Sequence, residues 1–246
     1  MRRCRVEELE GAMHHLLKIS EAAAHYLWHV LRLENGSCFE GFNGKGQTRI
    51  FKLINAEQRL VEIVGELTQK SEIAPILLCY GLPKGDKLET VVRQVTELGI
   101  QGVILWSAQR SVAIWEEKKQ AQKHERLLKV MQEAARQCER SIDPSLSMPK
   151  NLKALIEATK HCPIKIFFDP TAEQGWQVSQ AQIDLLSEQK PCALLIGPEG
   201  GISPEERAEL LRHQWQGLVL NSPILRTETA AVVACTIALD RLGWMA

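Results

Sequence analysis

The sequence has little of several things that would declare a function at once. Its longest uninterrupted apolar run is about six residues, roughly a third of a membrane span, so no transmembrane helix is expected. No charged-then-apolar leader with a cleavage site opens it, so secretion is not expected either. Among the seven cysteines (4, 38, 79, 138, 162, 192, 235) there is no C-x-x-C pair. An odd, scattered set suits reduced thiols in a cytoplasm and argues against a disulfide framework or a zinc site. The seven histidines lack ligand spacing: His14 and His15 are adjacent, and no glutamate follows the first residue of the His25/His29 pair. No metal is expected. Excess charge of either sign is also missing, since 30 Lys and Arg balance 30 Asp and Glu. A protein that coats nucleic acid non-specifically is normally basic, so any RNA or DNA contact must be local and selective. Neither a repeat of 20 to 50 residues nor a low-complexity segment occurs.

What is present is a chain of 246 residues, 45% apolar and 24% charged, enough for one large domain or two small ones. Its texture changes near residue 70. Before that point lie short β-like pieces, "SCFEGF", "TRIFKLI" and "RLVEIVGEL", with an Asn43-Gly44 hairpin signal between the first two. "EAAAHYLWHVLRL" ahead of them reads as one short helix. Residues 1–70 therefore suit a small β-barrel of binding-module size. Residues 71–246 alternate strands with helices. "PILLCYGL" is a buried strand, and Asp86 with Glu89 forms a capping box for a helix with Leu88, Val91, Val92, Val95 and Leu98 inward. "GVILW" follows, then a long helix through about Cys138, then "IKIFFD", "CALLIG" and "GLVL", and a last helix over 228–242. Apolar strands between amphipathic helices indicate an α/β domain with a mostly parallel sheet covered on both faces.

Two stretches carry the chemistry. In "LLIGPEGGISPEE" a strand runs into a glycine-rich turn, and Ser203-Pro204-Glu205-Glu206 then supplies an N-cap, a proline at the first helical position and a glutamate at the third. Gly197, Gly200 and Gly201 are expected to allow positive φ and close approach to a ligand. Neither G-x-G-x-x-G nor G-x-x-x-x-G-K-[ST] fits, and Glu199 would repel a phosphate. A tight turn with no ligand explains this loop equally well. "SPILRTETAAVVA" repeats the design, with a strand, a turn at Pro223 and Thr227 as N-cap of the terminal helix. Two such turns at the carboxyl ends of neighbouring strands are where open α/β sheets bind small molecules. Arg226 and Glu228 flank the cap, as site residues or as a surface ion pair.

"LLIGPEGGISPEE" together with "LRTETAA" resembles the RsmE family, ribosomal RNA small subunit methyltransferase E, of the SPOUT class. The opening "MRR", "HYLWHVLRLENG", "LPKGDKLE", "TELGI", "AQRS" and "QEAARQCER" extend the resemblance over nearly the whole chain. One departure is Asn221-Ser222-Pro223, where the family commonly has Gly-x-Arg. The resemblance implies a PUA-like β-barrel for RNA recognition, then a SPOUT domain with a C-terminal trefoil knot, in a homodimer. It implies S-adenosyl-methionine as cofactor, held by the turns at Leu195, Ile196, Gly197, Pro198, Glu199, Gly200 and Gly201, and at Leu220, Ile224, Leu225, Arg226, Thr229 and Ala230. It further implies methylation of N3 of one uridine (1498 in the family's usual numbering) in 16S rRNA; the balanced charge, rather than the resemblance, points to the 30S subunit over naked RNA as the substrate. Arg226 is the candidate to stabilise charge on the base, and Glu228 the candidate proton acceptor.

Residues 118–140 hold seven Lys and Arg against three Glu. Glu133, Gln137 and Arg140 share one helix face with Arg126, opposite Leu127, Met131, Ala134 and Cys138. Composition reads that polar face as solvated; the resemblance reads Glu133, Gln137, Arg140 and Arg110 as RNA contacts. Arg2, Arg3 and Arg5 either meet RNA phosphates or form a charged end. Two other readings stay open: a methyltransferase of the same class acting on a ribose 2′-hydroxyl, and a non-catalytic ribosome-assembly protein keeping the fold.

Overall fold

The computed structural model describes residues 1–11, 15–69, 73–85, 87–111, 117–149, 151–175, 184, 188, 190–220 and 223–245. The chain divides into two compact units, Met1–Glu72 with Ala135–Asp143, and Ile73–Ala134 with Pro144–Ala246. The first division falls two residues beyond the change of texture. The return of 135–143 to the first unit is not visible in composition, because those residues close a helix that begins in the second.

The first unit carries β1 (Arg3–Arg5), β2 (Leu16–Lys18), α1 (Glu21–His25), β3 (Cys38–Phe42), β4 (Gln47–Asn55), β5 (Leu60–Ile63) and β6 (Thr68–Gln69). Its sheet runs β1-β3-β4-β5-β2, with β6 on β4, and only β1–β3 is parallel. The expected hairpin is present: Phe42 faces Thr48 across the turn, and Gly44 and Gly46 sit at φ +76° and +91°. Phe39 and Phe51 stack at 5.5 Å in a core shared with Val6, Leu27, Leu53 and Val61. The expected single helix changes form after five residues. Ser20 caps α1, and a π-turn over Tyr26–Val30 follows, closed by Leu31 N–H on Tyr26 O at 2.8 Å. The returning segment is held by Asp143 N–H on Gly44 O at 2.8 Å and Gly46 N–H on Ser141 O at 2.9 Å. Arg136 lies 4.9 Å over the Tyr26 ring.

The second unit contains β7 (Ala74–Gly81), α2 (Lys87–Glu97), β8 (Ile100–Trp106), α3 (Glu117–Gln137, whose last residues belong to the first unit), β9 (Ser145–Ser147) and α4 (Leu152–Ala158). β10 (Ile164–Phe168), β11 (Cys192–Ile196), α5 (Pro204–Arg212), β12 (Gln216–Leu218) and α6 (Thr227–Arg241) complete it. The sheet order is β12-β10-β11-β7-β8-β9, every pair parallel. The α/β expectation therefore holds, with β9 an edge strand too short to show a pattern. All eight residues of β7 are buried, because both faces of a parallel sheet are covered. Period-2 alternation sorts the core. Leu78, Tyr80, Leu194 and Ile196 pack with α2, α3 and α6, while Cys79, Trp106, Leu195 and Phe167 pack with α4 and α5. Leu88, Val91, Val92 and Val95 of α2 are buried as their spacing predicts; Asp86, the expected cap, lies outside the described residues. Leu127, Met131 and Ala134 of α3 are buried as expected, and Cys138 is half-buried.

Candidate functional site

The carboxyl ends of β10, β11 and β12 open onto a cavity of about 780 Å³ within the second unit. That is where parallel sheets expose backbone groups not used by the next strand, and where their ligands bind. One wall is the turn after β11 and another is the turn before α6.

Local chemistry fixes the first wall. The Ser203 hydroxyl accepts Glu206 N–H at 3.1 Å, and the Glu206 carboxylate accepts Ser203 N–H at 2.9 Å, with Pro204 opening α5. This is the capping box read from the sequence. The other Glu206 oxygen accepts Gln109 N–H at 2.7 Å, so a buried carboxylate also ties down the turn after β8. The glycines meet the expectation of positive φ and close approach to a ligand only in part. Only Gly201 lies in the left-handed region, at φ +72°. Gly197 and Gly200 are required by close approach: a Cβ would meet Ile202 Cγ1 at 3.0 Å and Arg110 Cβ at 2.9 Å respectively. Gly81 at the end of β7 does the same, since a Cβ there would stand 2.7 Å from Pro198.

The second wall corrects one assignment. Arg226, not Thr227, occupies the N-cap, and its side chain makes no capping bond. Thr227 is the first helical residue and is buried, its hydroxyl 3.0 Å from the Tyr80 hydroxyl. Burial pushes the Tyr80 phenol up to about 12; the Thr227 bond acts against this, and the Glu228 and Glu199 charges add to it. Tyr80 is thus a neutral fastener between β7 and α6 rather than an acid or base.

Charge concentrates where three turns meet. Both Glu199 oxygens accept the Lys84 N–H, at 3.2 and 3.3 Å, so this carboxylate is engaged by the turn after β7. Lys87 Nζ donates to Glu228 Oε2 at 3.1 Å and lies 3.8 Å from Glu199 Oε1. Desolvation pushes the Glu228 carboxyl up, but its own backbone N–H, Lys87 and Arg226 together hold it below its ordinary value. Across the cavity mouth, Asp169 accepts the N–H and hydroxyl of Thr171 at 2.8 and 2.7 Å, and pairs with Arg207 at 3.2 Å.

Most of the cofactor-directed residues read from the sequence line this cavity. Ile196, Gly197, Pro198, Glu199 and Gly201 do so from the first turn. Leu220, Ile224, Leu225, Arg226 and Ala230 do so from the second. Leu195 does not: it is one residue out of phase and packs in the core on the opposite face of the sheet. Gly200 turns towards Arg110, Thr229 points to solvent, and Glu228 stands behind Lys87. Asn221 and Ser222 lie outside the described residues, while Pro223 lines the cavity.

The RNA-directed residues are scattered. Arg110 lines the cavity and donates to Gly200 O at 3.3 Å. Arg2 is exposed; Arg3 is almost buried, bonded to Glu40 and to Ser141 at 2.8 Å, and Arg5 is paired with Asp143. Glu133 and Gln137 are exposed on α3, and Arg126 pairs with Glu89 of α2. Arg140 is half-buried, and burial pulls its guanidinium below its ordinary value, with Cys138 and Asp143 opposing. The sequence reading missed Lys87, Asp169 and Arg207 at the cavity. Asp169 and Lys87 follow β10 and β7, so counting every strand end, rather than the glycine-rich ones, would have found them.

The chain is similar to known proteins over most of its length. The family described as RNA methyltransferase domain matches residues 69–239. The ribosomal RNA small subunit methyltransferase E of Bacillus subtilis (strain 168) is 30% identical over 226 residues, covering 88% of this chain and 86% of the relative. A Legionella pneumophila structure described as a methyltransferase in complex with SAM superposes with a TM-score of 0.77 at 27% identity, covering 97% of this chain and 96% of that one. The ribosomal RNA small subunit methyltransferase E of Neisseria gonorrhoeae, bound to S-adenosyl methionine, shares the fold at a TM-score of 0.79 and 19% identity, covering 98% and 97%. With a cavity built from the two motif turns and these relatives along nearly its whole length, the chain belongs to the ribosomal RNA small subunit methyltransferase E family.

Proposed function

We propose that this chain methylates N3 of one specific uridine in 16S rRNA, taking the methyl group from S-adenosyl-methionine. Family membership makes it an AdoMet-dependent rRNA methyltransferase; the base and the atom are the further reading. The observation that carries it is the cavity walled by the two motif turns with Arg226 at its rim.

The residues fit the cofactor. A volume of about 780 Å³ lies in the range of small-molecule sites. Nothing stands within 4 Å of a Cβ position at Gly201, so its backbone is open to a ligand. Ile196, Leu225 and Ala230 offer an apolar wall for adenine, whose edges backbone N–H and C=O groups can read. Glu199 is already engaged by the Lys84 N–H and Lys87, so it is the apolar wall and the open backbone, not this charge, that suit the cofactor. When bound, the cofactor supplies a methyl group already activated by its sulfonium. The protein then has to align the attack and exclude water.

The base presents the harder problem, because uridine N3 holds its proton with a pKa of roughly 9 to 10, like a tyrosine hydroxyl. Glu228 is held ionised but does not itself line the cavity, so it is a weak base that takes the proton only when the uridine or a bridging water reaches it past Lys87. Arg226 supplies the complement: its guanidinium at the rim stabilises the uridinate, as donors in an oxyanion hole do. Each role needs the other. In the same reading the second unit is a SPOUT domain with its C-terminal part in a trefoil knot, and the first is a PUA-like RNA-recognition barrel. The six-stranded sheet of the first unit supports the latter. The protein acts as a homodimer in the cytoplasm on the 30S subunit, with Arg2, Arg110, Glu133, Gln137 and Arg140 towards RNA. Balanced charge supports a shape-defined particle over naked RNA.

The test is methylation of purified 30S subunits with labelled S-adenosyl-methionine, followed by nucleoside analysis. Label in 3-methyluridine is expected. Label in a ribose methyl would favour the 2′-hydroxyl reading, and no cofactor binding by calorimetry would favour an assembly protein.

A further inference from the structure

The two motif turns are not the only ones at the cavity. The turn after β7 enters through Lys87, the first residue of α2, whose ammonium lies 3.1 Å from Glu228 Oε2 and 3.8 Å from Glu199 Oε1. Lys87 lines the cavity and holds Glu228, which is not itself part of the lining. The backbone beside it is fixed independently, because Lys84 N–H binds the Glu199 carboxylate.

We propose that Lys87 is a positioning residue of the methyl transfer: it clamps the turn after β11 to the start of α6 and keeps the Glu228 carboxylate charged and in place. The inference rests on the assignment of Glu228 as proton acceptor for its catalytic consequence, but not for the clamp itself. Among the described residues, four groups face Glu228. Lys87 comes from α2, Arg226 from the preceding turn, neutral Tyr80 from β7, and Glu199 from the turn after β11 on the far side of Lys87. Lys87 and Arg226 are cations and favour the carboxylate form; Glu199 opposes it and is offset by the same lysine. Removing the lysine charge leaves the two carboxylates it bridges with one cation fewer.

The test is a carbon-detected NMR titration of the Glu228 carboxyl in the full chain, in wild type, Lys87→Met and Lys87→Arg, with thermal melting to check the fold. The Met variant keeps the stem and loses the charge; its Glu228 midpoint is expected to rise by about one to three pH units, the effect of one close opposite charge. The Arg variant should restore most of the shift. A folded Met variant with an unmoved midpoint overturns the inference. The acid limb of the single-turnover pH–rate profile should move with the midpoint. A midpoint that moves without the limb leaves the clamp standing and removes Glu228 as the acceptor.

Discussion

Arg226 is exposed, unengaged by the cap it occupies, and aimed at a cavity rim, which is unusual for a residue at a helix start. Arg226→Ala should lower single-turnover methylation by about a hundredfold or more, as loss of an oxyanion-type donor does, while leaving S-adenosyl-homocysteine binding by calorimetry largely intact. Loss of binding with unchanged chemistry would make it a cofactor residue instead. Gly81→Ala tests the opposite kind of contact. A Cβ 2.7 Å from Pro198 must push the wall into the cavity, so cofactor affinity should fall while the sheet still forms. The sequence showed which glycines mattered but not why. Gly201 needs positive φ, whereas Gly197 and Gly200 answer to Ile202 and Arg110, neighbours whose approach is set by tertiary packing. Thr227 was read as a cap because Thr favours that position; its bond to Tyr80, 147 residues away, outweighs the local preference.

Elements whose signals are local were legible. The capping box of α5 and the buried face of α2 follow from spacing alone. What spacing hides is the second use of Glu206, which reaches the turn after β8 through Gln109. Glu206→Ala leaves the buried Ser203 N–H without its acceptor, worth ~1–3 kcal/mol, and releases the N–H of the exposed Gln109, so a clear drop in melting temperature is expected. A surface glutamate of α5 such as Glu205 gives the control, and its Ala variant should melt close to wild type. The π-turn after α1 and the short strand β9 escaped because neither an i to i+5 bond nor three residues leaves a periodic mark.

At the scale of the whole molecule, the composition break near residue 70 marks the join between units, yet residues 135–143 rejoin the first unit by contacts no pattern encodes. Arg3 and Arg5 show the consequence: a cluster of basic residues at the start of the chain reads as an RNA-facing end, but two of its members are taken up by Glu40, Ser141 and Asp143. Substituting Arg2 should therefore weaken substrate affinity more than stability, and Arg3→Ala should do the reverse, as binding assays and melting curves would separate. Methylation of one uridine N3 is where fold, cavity and substrate come together. It is tested most directly by nucleoside mass spectrometry of 16S rRNA from a strain lacking this gene, complemented with wild type or with Arg226→Ala. 3-Methyluridine at one site should vanish in the deletion and return only with wild type; full 3-methyluridine in the deletion strain would contradict the account.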